Sequence, residues 1–440
     1  MLALVRTVIV RAPGILRKSA IFVTNSGALA IGTIAMSGLG FVYWWLAART
    51  FPPEVIGNAS ALLSMIGLVA LLGEAGLGTL LIGEIVRYPG RESGLAAAAT
   101  CVGGAIALGV ALSFVFGEAL FMPAGPIDGW LEAGLFVLTC MLTALSIVLD
   151  QALVGNLRSS GRMVRQLLFS AFKLMLIAGA AYVGFFSSTM IVLTWATGLL
   201  ASWIALDLLT RGGARRLVAL PDFRLLYKLR RKVFDHYALD VASQASGLIM
   251  PYLVLVLLSP AINAAFMSIW MLVSVAAMIP AAMATVLFPV VRANSTQSRH
   301  DIIVSLTASL LFALICANFI FLYSQQMLAL FNPAYPSIAG PSLCFLGFSL
   351  VGSTLKFHTC ALARLDDRMR KASFWFALGG ALELCLAVAG AKLDGLQGLV
   401  VGWTLAVIIE GACAAFVIVA ATRRADSVAG PVGQEPARSL

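Results

Sequence analysis

Long apolar runs separated by short polar segments set the pattern of this chain. A membrane-crossing helix needs about 20 mainly apolar residues. Runs of that kind fall at 22–47, 58–83, 95–116, 131–154, 166–185, 189–209, 235–258, 262–290, 302–323, 338–362, 372–391 and 396–421. The pattern predicts an all-α integral membrane protein with twelve transmembrane helices. Spans 5 and 6 are divided only by residues 184–189. The long eighth span contains Pro280 and Pro289, which would kink or end a helix.

The polar segments orient the spans. With the N-terminus placed inside, the inner segments are 1–21, 84–94, 155–165, 210–234, 291–301, 363–371 and 422–440. Of the 30 Lys and Arg residues, all but Arg49, Lys173, Lys356 and Lys392 fall in them. An excess of Lys and Arg marks cytoplasmic loops, so both termini are read as cytoplasmic, and residues 1–20 as a lead into an uncleaved first helix. The same distribution assigns the net charge of +10 to topology and excludes nucleic acid as a partner. Only 11% of residues are charged, against about 25% in soluble domains. The longest inner segment divides the chain into a six-helix lobe over 1–209, a basic cytoplasmic linker over 210–234 and a second six-helix lobe over 235–421. A tail over 422–440 is read as disordered. The linker is expected to lie on the anionic inner leaflet, or else to dock a partner.

The stretch 38–87 holds the densest candidate chemistry. An apolar helix ends in Tyr43, Trp44, Trp45 and Arg49, and a turn with Pro52 and Pro53 follows. The next helix carries Glu74 among Gly73, Gly76 and Gly78. The second half echoes it: Pro260 opens a long helix ending at Arg292, as Pro53 opens one ending at Arg87. Gly247 and Tyr252 answer Gly38 and Tyr43.

This stretch resembles the start of the bacterial polysaccharide transporters, the lipid-linked oligosaccharide flippases of the MATE-like superfamily. The resembling residues are Arg49, Pro53 and Gly57, in an Arg-x-x-x-Pro-x-x-x-Gly turn, and the helix end Gly76-Leu77-Gly78. A second likeness is the Phe-x-Pro-x-Tyr turn of 331–335. The resemblance implies two lobes forming a V-shaped central cavity lined by spans 1, 2, 7 and 8, in a bacterial inner membrane. It implies a polyprenyl-diphosphate-linked glycan as substrate, membrane lipid around it, and a polysaccharide polymerase or other assembly proteins as partners. The flippase of the peptidoglycan precursor, in the same superfamily, typically has fourteen spans, which the count of twelve argues against.

Charges within spans are costly, at about 2.5–3.5 kcal/mol each at a helix centre. Substrate-binding candidates are Arg49, Lys356, Lys173 and Gln244. Guanidinium grips phosphate through two parallel bonds, though Arg49 and Lys173 would also suit snorkelling to the headgroups. Ion-coupling or gating candidates are Glu74, Asp240 and His236. The last two stand i, i+4 on one helix face, and His titrates near neutrality; a solvated helix start is the plainer alternative. Glu383 and Glu410 are read as structural groups or as partners of Lys356, and Asp150 as a partner of Lys173 or Arg158. Gly398 and Gly402 are read as packing residues.

The seven cysteines lie in apolar runs without a CxxC pair and are read as core filler. No phosphate-binding Gly-x-x-x-x-Gly-Lys-[Ser/Thr] motif and no metal-ligand pattern occurs, so neither cofactor nor metal is expected, nor is the chain read as an enzyme. The outer segments are too short for the active site of a membrane glycosyltransferase or polymerase. An ion-coupled multidrug exporter of the same superfamily is the nearer alternative. A non-transporting scaffold leaves the in-span charges unexplained.

Overall fold

A computed structural model describes residues 35–122, 125–210, 219–230, 234–293, 298–365 and 368–428. The side chains of 235–236, 288–293, 298–299 and 421–428 also lie outside the description, as do the first part of span 1 and residues 429–440 of the tail.

Among the described residues are twelve long helices and no strands. They are α1 (35–50), α2 (Pro53–Glu74), α3 (Glu92–Phe121), α4 (Trp130–Gly155), α5 (Ser159–Val183), α6 (Ser188–Leu209), α7 (Phe234–Leu257), α8 (Pro260–Ala293), α9 (Ser298–Phe331), α10 (Ser349–Leu365), α11 (369–393) and α12 (396–428). Each falls within or overlaps one of the expected spans, though α2 ends at Glu74 rather than 83 and α10 begins at Ser349, after a 3-10 turn over Ser342–Phe348, rather than at 338. Among the described residues, ten stretches are long and apolar enough to cross a membrane, the last being α11 and α12 together, whose helical path breaks at Asp394 and Gly395. The chain is an all-α, multi-pass membrane protein.

Local chemistry sets the helix ends. Pro53 sits at the first turn of α2, where its missing N–H removes no bond. Gly184 takes a left-handed conformation (φ 84°) that closes α5, and the Ser187 hydroxyl accepts from the Met190 N–H to open α6. That turn separates spans 5 and 6 cleanly. Pro280, in contrast, does not end α8, which runs on to Ala293. Inside a bundle, neighbouring groups can re-satisfy the carbonyl that a proline strands.

The chain forms two compact units, Met1–Tyr237 and Ala238–Leu440. In the first, α2 breaks at Ala75 and Gly76, both left-handed, and continues as a short helix, Leu77–Glu84. The glycines around this break serve close packing. A Cβ on Gly73 would stand 2.6 Å from Ala107 of α3, and one on Gly78 would run into the Glu74 carboxylate and Gln151 of α4. In the second unit, α11 and α12 cross with backbones touching. A Cβ on Gly390 would lie 2.0 Å from the Gly398 carbonyl, and one on Gly402 2.2 Å from the Leu386 carbonyl.

The linker carries a helix, Phe223–Leu229, that belongs to the first unit. Leu225, Leu226 and Leu229 are buried with Leu77, Leu81, Ile85 and Leu95. Its apolar face is therefore covered by protein rather than by lipid, while Phe223 and Tyr227 stay exposed. Asp222 caps this helix through the Leu225 N–H (3.0 Å), bonds the Gly94 carbonyl through its own N–H (2.9 Å) and salt-bridges Arg91.

Two outcomes follow from these contacts. The Leu225 N–H, and then the Arg91 guanidinium, hold the Asp222 carboxyl below its ordinary value, about 3.9. The contribution of Asp222 to docking of the linker helix is thus fully present above that ordinary value and lost as pH falls through the lower folded one, while the buried leucines still hold the helix. Amide exchange at 225–229 should accelerate only in that acid window, and Asp222→Asn should abolish the dependence. Gly390→Val forces a backbone shift of the kind that costs about 1–3 kcal/mol, and should lower the melting temperature in detergent by several degrees.

Candidate functional sites in the two units

In the first unit, the buried face of α5 repeats at helical spacing through Arg165, Phe169, Lys173, Ile177 and Ala180. Two of those positions carry cations, and the unit accommodates them differently.

Arg165 makes a two-pronged pair with Asp150 of α4, each bond 2.5 Å long, with both side chains buried. Gln166 donates to the same carboxylate, Ser202 accepts from the guanidinium at 3.3 Å, and the Trp203 ring lies 5.1 Å from it. Trp203 in turn donates to Ser146 at 2.9 Å. The partner of Asp150 is thus Arg165, which the loop assignment had placed outside the span. Extending the α5 periodicity back to Ser159 would have found it.

Lys173 sits one step deeper. Its ammonium lies 3.9 Å from the centroid of Trp195, 4.8 Å from that of Tyr43 and 4.9 Å from that of Phe169. The residue is 5% exposed, and among the described residues no carboxylate salt-bridges it. Aromatic faces attract a cation through their quadrupole, most strongly where water is excluded. Tyr43 is fixed by a 2.9 Å hydrogen bond with Thr194, and Gly198 makes room for the Lys173 stem and Phe169.

Arg49, at the exposed end of α1, stacks 5.3 Å over Trp45. Glu74 is half-buried at the break in α2, its carboxylate over Gly78, where it acts electrostatically on Tyr237. The Tyr237 hydroxyl donates to the Leu72 carbonyl, one turn before that break.

In the second unit, Lys356 of α10 lies between two acids. Its ammonium is 2.5 Å from Glu383 of α11 and 2.7 Å from Glu410 of α12. The second Glu383 oxygen accepts from Ser246 of α7 at 2.5 Å. Asp240 pairs with Arg364 at the end of α10, 2.8 Å away. The Gln244 amide bonds back to the Asp240 carbonyl and is exposed on the surface of this unit. His236 lies in α7, but its side chain is outside the described residues. His358 is fully buried, set between the Thr354 carbonyl and Ser305, an arrangement that suits a packing role.

The two units share an internal correspondence. Lys173 and Glu383 stand at the same step of their helices, counted from Ser159 and Met369. Trp195 and Trp403 do likewise, counted from Ser188 and Leu396. Matching positions thus carry a cation in one unit and an anion in the other.

Solved structures supply the fold comparison. An inward-facing multidrug resistance MATE family transporter of the MOP superfamily superposes with a TM-score of 0.68 at 15% identity, over 88% of this chain and 95% of that one. An outward-facing structure of such a transporter gives 0.65 at 16% identity, over 94% and 97%. A MOP superfamily transporter from Pyrococcus furiosus, described as having a binding pocket of reverse polarity that suggests a different function, gives 0.58 at 14%, over 94% and 97%. No family profile and no curated protein matches the chain by sequence. The fold is that of the MATE-type transporters.

Arg165→Met would leave the Asp150 carboxylate buried and unpaired, a loss of about 3–5 kcal/mol. The double variant Arg165→Met/Asp150→Leu should recover most of it. Thermal unfolding of the purified protein in detergent distinguishes the two.

Proposed function

We propose that the chain is a MATE-like transporter that flips a polyprenyl-diphosphate-linked oligosaccharide across the inner membrane by alternating access. It would serve synthesis of O-antigen, capsule or exopolysaccharide, with both termini cytoplasmic. The fold supports a transporter of this superfamily, and the Arg49–Pro53–Gly57 turn supports the flippase branch.

Lys173 is the observation that carries the reading. It is a cation well inside a span, held by aromatic rings instead of a carboxylate. A positive charge in a low-dielectric interior draws an anionic diphosphate and repels an organic cation through its field. Arg49 suits a second contact with the phosphates, and the exposed Gln244 suits sugar hydroxyls. Glu74, at the left-handed break of α2, suits control of the change of state. Asp240 suits the same task, because its pair with Arg364 joins α7 to α10.

A second reading, ion-coupled export of organic cations, draws on the aromatic box around Lys173, since such boxes also receive cationic drugs.

Three measurements test the proposal. In a strain dependent on this protein for surface glycan, Arg49→Ala and Glu74→Gln should each abolish the glycan at unchanged membrane abundance; intact glycan in either removes that residue's role. Lys173→Met should slow flipping about tenfold or more, the scale of one charge-assisted contact at about 1.5–3 kcal/mol. Unchanged glycan alongside protein-dependent ethidium efflux would favour the second reading.

A further inference from the structure

The cluster of Lys356, Glu383 and Glu410 has a charge balance that its geometry leaves open. Fully ionised, it carries two negative charges and one positive. Its side chains are 13%, 2% and 10% exposed, respectively, so the surplus charge would sit in a medium that charges it heavily.

The two acids are held unequally. Both Glu383 oxygens take donors, from Lys356 and from Ser246. Glu410 takes Lys356 on one oxygen, while its Oε1 is buried without a hydrogen-bond partner. The Glu410 carboxyl also comes within hydrogen-bonding reach of Glu383, and two carboxyls can bond each other only if one carries a proton. The cluster is built to bring them together. A Cβ on Gly379 of α11 would stand 2.3 Å from the Glu410 carboxyl, so α11 is notched where α12 presents that acid.

We propose that Lys356, Glu383 and Glu410 form a proton-binding site that carries one exchangeable proton, lodged on Glu410. With the proton present, Glu410 donates to Glu383 and the cluster is neutral, tying α12 to α11. When it leaves, two carboxylates face each other across one ammonium and the tie becomes a repulsion. Two carboxylates in one buried site resist joint ionisation and titrate as a unit.

A metal cation suits the surplus charge less well, because the Lys356 ammonium already occupies the position between the two acids. The other titratable groups near the cluster are these. Asp240 on α7 is paired with Arg364, His358 on α10 is bonded to Thr354 and Ser305, and the Cys360 thiol is one turn from Lys356. The use of this proton to drive a conformational cycle rests on the transporter reading; the presence of the site does not.

Infrared difference spectroscopy of the full-length protein in lipid, titrated with pH and without any transported substrate, reads the site directly. The wild type should show the carbonyl stretch of a protonated carboxylic acid that disappears on alkalinisation. Glu410→Gln, which mimics the protonated form, should fold and lose that signal. Lys356→Met, which removes the cation favouring ionisation, should keep the signal to higher pH, and this variant decides the matter should Glu410→Gln fail to fold. Replacing potassium by sodium should leave the titration unchanged. A titrating acid signal undiminished in Glu410→Gln, a wild type with no titrating acid signal, or a titration displaced by sodium would each overturn the proposal. Because no substrate is present, none of these outcomes depends on whether the glycan is flipped.

Discussion

A charge inside a bilayer has no water to solvate it, so the protein must supply a partner for each one. That constraint governs both units. Arg165 and Asp150 meet as a two-pronged pair with amide and hydroxyl support. Lys356 is shared by two acids. Lys173 is held by three ring faces. These clusters also fix which helices stay together. Asp150–Arg165 joins α4 to α5, the aromatic box joins α1, α5 and α6, and the lysine–glutamate cluster joins α7, α10, α11 and α12.

The glycines complete the arrangement, because charged groups on different helices meet at bonding distance only where backbones come close. Gly198 lets α6 reach the Lys173 stem, and Gly379 admits the Glu410 carboxyl against α11. Gly390, Gly398 and Gly402 bring α11 and α12 into backbone contact just past their turn. A buried ion pair is seldom a net source of stability over apolar packing, whereas removing one partner is costly. Such clusters therefore fit a protein that must hold, and at times exchange, defined arrangements of helices. Under the proposed function, that is the behaviour alternating access requires.

Helix number and placement were legible in the sequence because length and apolarity are one-dimensional properties. The alternating loop charges and the Pro53 and Gly184 turns are also local signals. Partner choice was not legible in the same way. Arg165 reads as a loop charge because it follows Arg158 and Arg162 at the edge of a span, and only the apolar period of α5 turns it inward. Lys356, Glu383 and Glu410 come from three different helices, so the ratio of two acids to one base emerges only in three dimensions. The aromatic box is hidden likewise, since Tyr43 and Trp195 belong to helices far apart in the chain. The linker was legible as basic and amphipathic, but its spacing alone did not say that its leucines would find protein.

The proposed function, transport of an anionic, lipid-linked glycan, is the reading most open to test. The most direct test is reconstitution of the purified protein into proteoliposomes holding a fluorescent polyprenyl-diphosphate oligosaccharide in both leaflets. Exposure of the label to an impermeant quencher or glycosidase reads its movement. The inner-leaflet pool should become accessible with the wild-type protein but not in protein-free vesicles, and much more slowly with Lys173→Met. An inner pool that stays protected with active, folded protein, while the same vesicles transport an organic cation, would contradict it.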